Sequence, residues 1–168
     1  MGSGLAVVPH RQTGTMADEV VLEKVDLDAV RAAAARLRRA CEQEKPHLLD
    51  VQFRLFPRGA CGSTAVLLGE YLQRCGLGTW TYVSGWAAAP RGTHAWIERD
   101  GVIVDITADQ FDEKIHEPVI VTTDPSWHAQ FADRMGSHPA TLEHEATISN
   151  QASVLASDFE RLLRHLGD

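Results

Sequence analysis

The dipeptide Asp100-Gly101 constrains this chain more than any other feature. It separates residues 93–99 from residues 102–107, two runs rich in β-branched and aromatic side chains. Asp-Gly between such runs predicts a two-residue type I′ hairpin, because both central positions need positive φ. The turn sets a register in which Arg99 faces Val102, Trp96 faces Asp105 and His94 faces Thr107. Side chains alternate along each strand, and cross-strand partners share a face. One face then carries His94, Trp96, Asp105 and Thr107. The other carries Ala95, Ile97, Val102, Val104 and Ile106, as the core side of a sheet should. His94 and Asp105 become diagonal neighbours about 7–8 Å apart between backbones, a gap that one imidazole–carboxylate hydrogen bond closes. A slip of one residue would send them to opposite faces.

A third group belongs beside this pair. Residues 62–72 read as a helix, with Ala65, Leu68 and Leu72 and then Leu67 and Tyr71 recurring at helical spacing. Pro57 and Gly59 break structure just before it, so Cys61 falls at the helix N-terminus. Uncapped N–H groups and the helix dipole favour a thiolate there and are able to hold an oxyanion. Gly62 leaves room for a substrate carbonyl. A thiol, a base to take its proton and a carboxylate to orient the base make up a nucleophilic triad. Cys61, His94 and Asp105 are its candidates, with Trp96 on the same face as His94. Of the other cysteines, Cys41 lies on the stripe Leu27, Val30, Ala34, Leu37 of an Ala-rich helix and reads as a small buried hydrophobe. Cys75 precedes Gly76 at the far end of the Cys61 helix, where the dipole opposes a thiolate.

The 168 residues suit one domain. Residues 1–15 are Gly-rich and polar, without periodicity, and are read as a tail outside the fold; residues 16–168 form the catalytic domain. A net charge of −7 argues against non-specific nucleic-acid binding. No apolar run is long enough to span a membrane, and no signal-peptide pattern is present. Three cysteines give no disulfide framework, so a reducing, cytoplasmic setting is expected. Arg31, Arg36, Arg38 and Arg39 lie beside Glu42 and Glu44 and read as a solvated helix face. His116, His128, His138 and His144 lack a recognised metal-ligand spacing and read as surface loop residues, so neither a metal nor another cofactor is expected.

Along the chain, residues 20–25 suggest a short strand. A helix is expected over 27–44 with Asp26 as N-cap and Pro46 past its end. Residues 48–56 read as an extended lead into the site and 79–86 as a strand, with 87–92 as the loop before the hairpin. Residues 119–123 read as a further strand and 124–146 as loop. A last helix over 150–166 carries the stripe Ile148, Ala152, Leu155, Phe159, Leu162, Leu166. The class is α+β, with helices packed on a small, mainly antiparallel sheet.

A Cys at a helix start, then His94-Ala95-Trp96 on one strand and Asp105 on the next, resembles the transglutaminase-like branch of the papain-like cysteine protease superfamily. The compact spacing is similar to that of the leader peptidases of lasso-peptide biosynthesis. The segment ending Asp105-Ile106-Thr107-Ala108-Asp109-Gln110-Phe111 also resembles uncharacterised bacterial proteins of that superfamily. The likeness covers residues 53–111. It implies a papain/transglutaminase-like fold, with Cys61 as nucleophile, His94 as general base and acid, and Asp105 as the orienting group. It also implies a Gln upstream of the Cys as oxyanion donor, for which Gln52 is the candidate. Arg54, Arg58 and the Cys61 N–H are its rivals, and Gln110 is a further polar group near the site. The expected reaction is hydrolysis of a peptide or isopeptide bond through a thioester. The alternatives are an acyltransferase, deamidase or transglutaminase with the same triad, and a binding protein without turnover. The partner expected is a peptide or protein substrate, and leader peptidases of this kind use a separate recognition protein.

Overall fold

The computed structural model describes residues 24–89, 91–111 and 117–166. The expected strand over 20–25 and the tail over 1–15 fall largely outside them. Helices α1 (Leu27–Gln43), α2 (Cys61–Arg74), α3 (Leu142–Ile148) and α4 (Ala152–Leu166) pack with strands β1 (Thr81–Ala88), β2 (Arg91–Arg99), β3 (Val102–Asp105), β4 (Ile120–Thr122) and β5 (Asp133–Pro139). Among the described residues, the strands form one antiparallel sheet in the order β4-β3-β2-β1-β5. The chain is therefore α+β. None of its described helices is long and apolar enough to cross a membrane.

The hairpin turns as its sequence dictates. Asp100 and Gly101 have φ of 50° and 77°, and Arg99, Glu98 and Ile97 pair with Val102, Ile103 and Val104. The ladder stops there, so the expected pairs Trp96–Asp105 and His94–Thr107 do not form. Arg38 causes the divergence: its Nη1 donates to the Ile106 carbonyl at 2.7 Å, a group the ladder would otherwise use. The Thr107 N–H folds back to Asp105 Oδ1 at 2.8 Å. Strand β3 peels away while β2 continues, and the sheet opens beside His94. The alternation of faces survives this change.

One face carries the main core. Ala95, Ile97, Val102, Val104 and Ile106 join Val30, Leu37, Leu67, Leu72, Phe159 and Leu162 from α1, α2 and α4. The opposite face holds a smaller aromatic cluster of Val83, Ala87, Trp96, Ile103 and Phe131, bordered by Phe111 and Trp127. Gly85 permits this second layer. A Cβ there would lie 2.3 Å from the Phe131 carbonyl oxygen, so the segment bearing His128 and Phe131 seats directly on β1.

Several boundaries differ from the sequence expectation. Residues 87–92 are mostly strand rather than loop, with Ala87 paired to Gly92 and Ala88 to Arg91. Residues 48–56 hold a 3₁₀ turn (Val51–Phe53) in place of an extended lead. Residues 124–146 contain β5 and most of α3, because β5 completes the sheet edge along β1, a pairing invisible to local pattern. Ile148 is exposed at the end of α3 and stands apart from the buried stripe of α4. Helix α1 begins as expected, with the Asp26 carboxylate accepting from the Ala29 N–H at 3.0 Å.

Candidate active site

Cys61 is the first residue of α2, and no side chain caps that helix. The N–H groups of its first turn therefore lack the usual side-chain acceptor. The thiol is partly exposed. The His94 imidazole and the Ala95 N–H both lie near enough to stabilise its negative charge. His94 Nε2 lies 2.6 Å from Asp105 Oδ2, so Nδ1 is the ring nitrogen turned away from the carboxylate. Both His94 and Asp105 are 1% exposed. The structure thus brings the three predicted residues together across the gap where β3 leaves β2, with a hydrogen bond joining His94 to Asp105.

The surroundings set the charges. Burial disfavours the Asp105 carboxylate, yet His94 and His128 outweigh it and hold the group well below the ordinary carboxylate range. Burial pushes His94 down, but the adjacent Asp105 charge and its hydrogen bond, helped by Cys61, raise it to about 9. Burial would raise the Cys61 thiol, and the Asp105 charge works the same way. The hydrogen bond and charge of His94, with the Ala95 N–H, overcome both and lower it. These directions favour a thiolate–imidazolium pair. Cys41, buried on α1, is pushed by desolvation up to about 12, and Cys75 is exposed beyond the end of α2. Neither has an imidazole partner among the described residues.

Gln110 closes the site from the front. Its Nε2 lies 3.2 Å from His94 Nδ1 and donates to the Thr107 carbonyl at 2.9 Å. Its Oε1 accepts from the Gly59 N–H at 3.3 Å. When His94 is neutral, the Gln110 N–H makes Nδ1 the acceptor and Nε2–H the donor; in the imidazolium form both ring nitrogens carry hydrogen and the Gln110 contact is not a hydrogen bond. Gln110 therefore ties the turn before Cys61 to the ring of His94.

Other expected residues separate into two groups. Gly62 lies beside the Tyr82 hydroxyl, which a Cβ at that position would approach to 3.6 Å. Gln52 faces the first turn of α2, its Oε1 accepting from Ser63 Oγ at 2.8 Å. Arg58 and Arg54 are exposed in the turn before α2. Trp96 forms the floor of the aromatic layer, fully buried, with its Nε1–H donating to Glu98 at 2.7 Å. It supports His94 from a ring distance of 5.7 Å and does not wall an open cleft.

Two contacts beside the site differ from the sequence expectation. His128, expected on a surface loop, is 3% exposed, and its Nε2 lies 2.9 Å from Asp105 Oδ2. Its signal was the spacing of Trp127 and Phe131, which box it within the aromatic cluster. Arg38, expected on a solvated face, is buried. Its two terminal nitrogens donate to Asp109 at 2.8 Å each. Its signal was its place four residues after Ala34 and beside Leu37 on the core stripe. Arg31, Arg36 and Arg39 are exposed as expected, and Arg31 also donates to the Val121 carbonyl at 2.8 Å.

The ligating atoms of His94, Asp105 and His128 lie within 4.8 Å of one another, close enough to be considered as metal ligands. Both imidazole Nε2 atoms approach the same carboxylate oxygen at hydrogen-bond distances, the pattern of two donors on one acceptor. His116 lies outside the described residues. His138 and His144 stack at 4.7 Å away from the triad, His138 also lying against Tyr82.

Neither a family model, a curated protein nor a solved structure matches this chain. The site is accordingly read from its own geometry.

Proposed function

We propose that this chain is a thiol-dependent amide hydrolase of transglutaminase-like, papain-related type, acting on a peptide or isopeptide bond. The observation that carries the reading is the Cys61 thiol at a helix start beside an imidazole that is fixed on a buried carboxylate. His94 Nδ1 takes the thiol proton, and the thiolate sulfur bonds to the substrate carbonyl carbon. In this reading the first-turn N–H groups of α2 receive the oxyanion, supported by the absence of a side-chain cap, with the Gln52 amide beside Ser63 as a second donor. As the tetrahedral intermediate collapses, the C–N bond breaks and His94 returns its proton to the leaving amine. A thioester to Cys61 remains. Water then gives a proton to His94 and attacks the thioester, releasing the acid and restoring the thiol.

Intact-mass measurement of iodoacetamide labelling across pH tests the reading. The expected result is one fast site that stays reactive below the ordinary thiol range, vanishes in Cys61→Ala and slows by at least about tenfold at pH 7 in His94→Ala. Slow labelling of Cys61 that ignores His94 would overturn the triad.

A further inference from the structure

We infer that the groove running from the first turn of α2 to α4 is a substrate subsite for a basic side chain, lysine or arginine, of the peptide. The inference rests on the reading of Cys61 as the nucleophile. The groove encloses about 340 Å³ and starts at Gly62 and Ser63, the two residues that follow Cys61. Tyr82 and His138 form its side, and it ends against α4 at Leu155 and Asp158.

Its chemistry is one-sided. Val66, Ile148, Val154 and Leu155 supply apolar wall, while Asp50, Glu145 and Asp158 supply carboxylates. No lysine or arginine lines it among the described residues. An aliphatic stem with a cationic head matches that combination.

Asp158 adds an independent sign. It is 3% exposed, yet no cation lies within ion-pair distance among the described residues. Its Oδ2 accepts the Asp50 N–H at 3.0 Å, and its Oδ1 has no hydrogen-bond partner there. Burial, with the nearby Asp50 charge, pushes its carboxyl up from the ordinary value against the Asp50 N–H bond and the Arg161 charge. Two carboxylates this close repel each other, and an incoming ammonium or guanidinium relieves that repulsion.

Matched peptidyl chloromethyl ketones provide the test. They differ only in carrying lysine or norleucine at the first or second residue from the reactive group. Each rate of Cys61 labelling is divided by the iodoacetamide rate on the same variant. Lysine is expected to exceed norleucine by at least about tenfold at one position, a difference of about 1.4 kcal/mol. The preference should collapse toward unity in Asp158→Asn and shrink in Glu145→Gln. A ratio near one in the native chain, or a preference that survives Asp158→Asn, would overturn the subsite. If Cys61 itself proves unreactive, equilibrium binding to Cys61→Ala protein decides separately. Tripeptide amides with central lysine or norleucine are the probes there; a lysine preference upholds the groove, and equal binding refutes it.

Discussion

His128 stands behind Asp105 and donates to the carboxylate oxygen that also holds His94, so one Oδ2 serves two imidazoles at 2.9 and 2.6 Å. Thr107 satisfies the other oxygen through its N–H. The carboxylate is thus fixed on both oxygens, which fixes the ring that meets Cys61. The Nδ1 of His128 is buried without a partner. Against a carboxylate oxygen, Nε2 carries the hydrogen and is the donor.

Removing this second donor should weaken the fold and the site together. His128→Leu leaves a buried charged acceptor with one bond fewer and should cost about 1–3 kcal/mol. Urea unfolding measures the loss. His128→Gln, which keeps an N–H donor on a shorter side chain, should recover part of it. Equal stability of all three proteins would show that the His128 bond contributes nothing.

Stability should vary with pH through the same pair. Asp105, held below its ordinary value, adds stability that is present above pH ~3.9 and is lost as the pH falls further. His94, raised to about 9, adds stability that is complete below pH ~6.5 and is lost as the pH rises through 9. The lowered Cys61 thiol acts in the opposite sense at alkaline pH, so the measurement belongs in Cys61→Ala protein. Its urea midpoint should be higher near pH 5.5 than near pH 9.5. Adding Asp105→Asn should flatten that difference, and a slope unchanged by Asp105→Asn would contradict the pairing.

Arg38 should matter far more than its helix position suggests. It joins α1 to the segment that carries Asp105 and Gln110, through Ile106 and the bidentate pair with Asp109. Arg38→Leu strands the Asp109 carboxylate and should cost about 3–5 kcal/mol. Arg38→Lys keeps the charge but loses the fork and should restore only part of the stability. Thermal unfolding reads both, while iodoacetamide labelling of Cys61 should slow in Arg38→Leu as Gln110 loosens. A lysine variant equal to the native protein would show that the bidentate geometry is dispensable.

Metal removal separates the hydrogen-bonded reading of His94, Asp105 and His128 from a metal-bound one. Dialysis against a chelator should leave the rate and pH profile of Cys61 labelling unchanged. Loss of fast labelling on chelation, restored by a divalent cation, would instead assign the three side chains as ligands.

The sequence by itself determined the local geometry. Asp100-Gly101 dictated a two-residue turn, and side-chain alternation put His94 and Asp105 on one face with the core residues on the other. The breaker residues before Cys61 and the helical period after it put the thiol at the start of α2. These features depend on neighbours within a few positions, where φ preference and periodicity act. Only the tertiary structure decided where β3 leaves the ladder, because the group that draws Ile106 away is Arg38, 68 residues earlier in the chain. The same holds for His128, whose loop reaches Asp105 only because Gly85 lets the Phe131 backbone lie on β1. It holds as well for β5, which pairs with β1 across the sheet edge. A buried ion pair and a close backbone approach join residues that no local pattern links, so they become visible when the chain is packed.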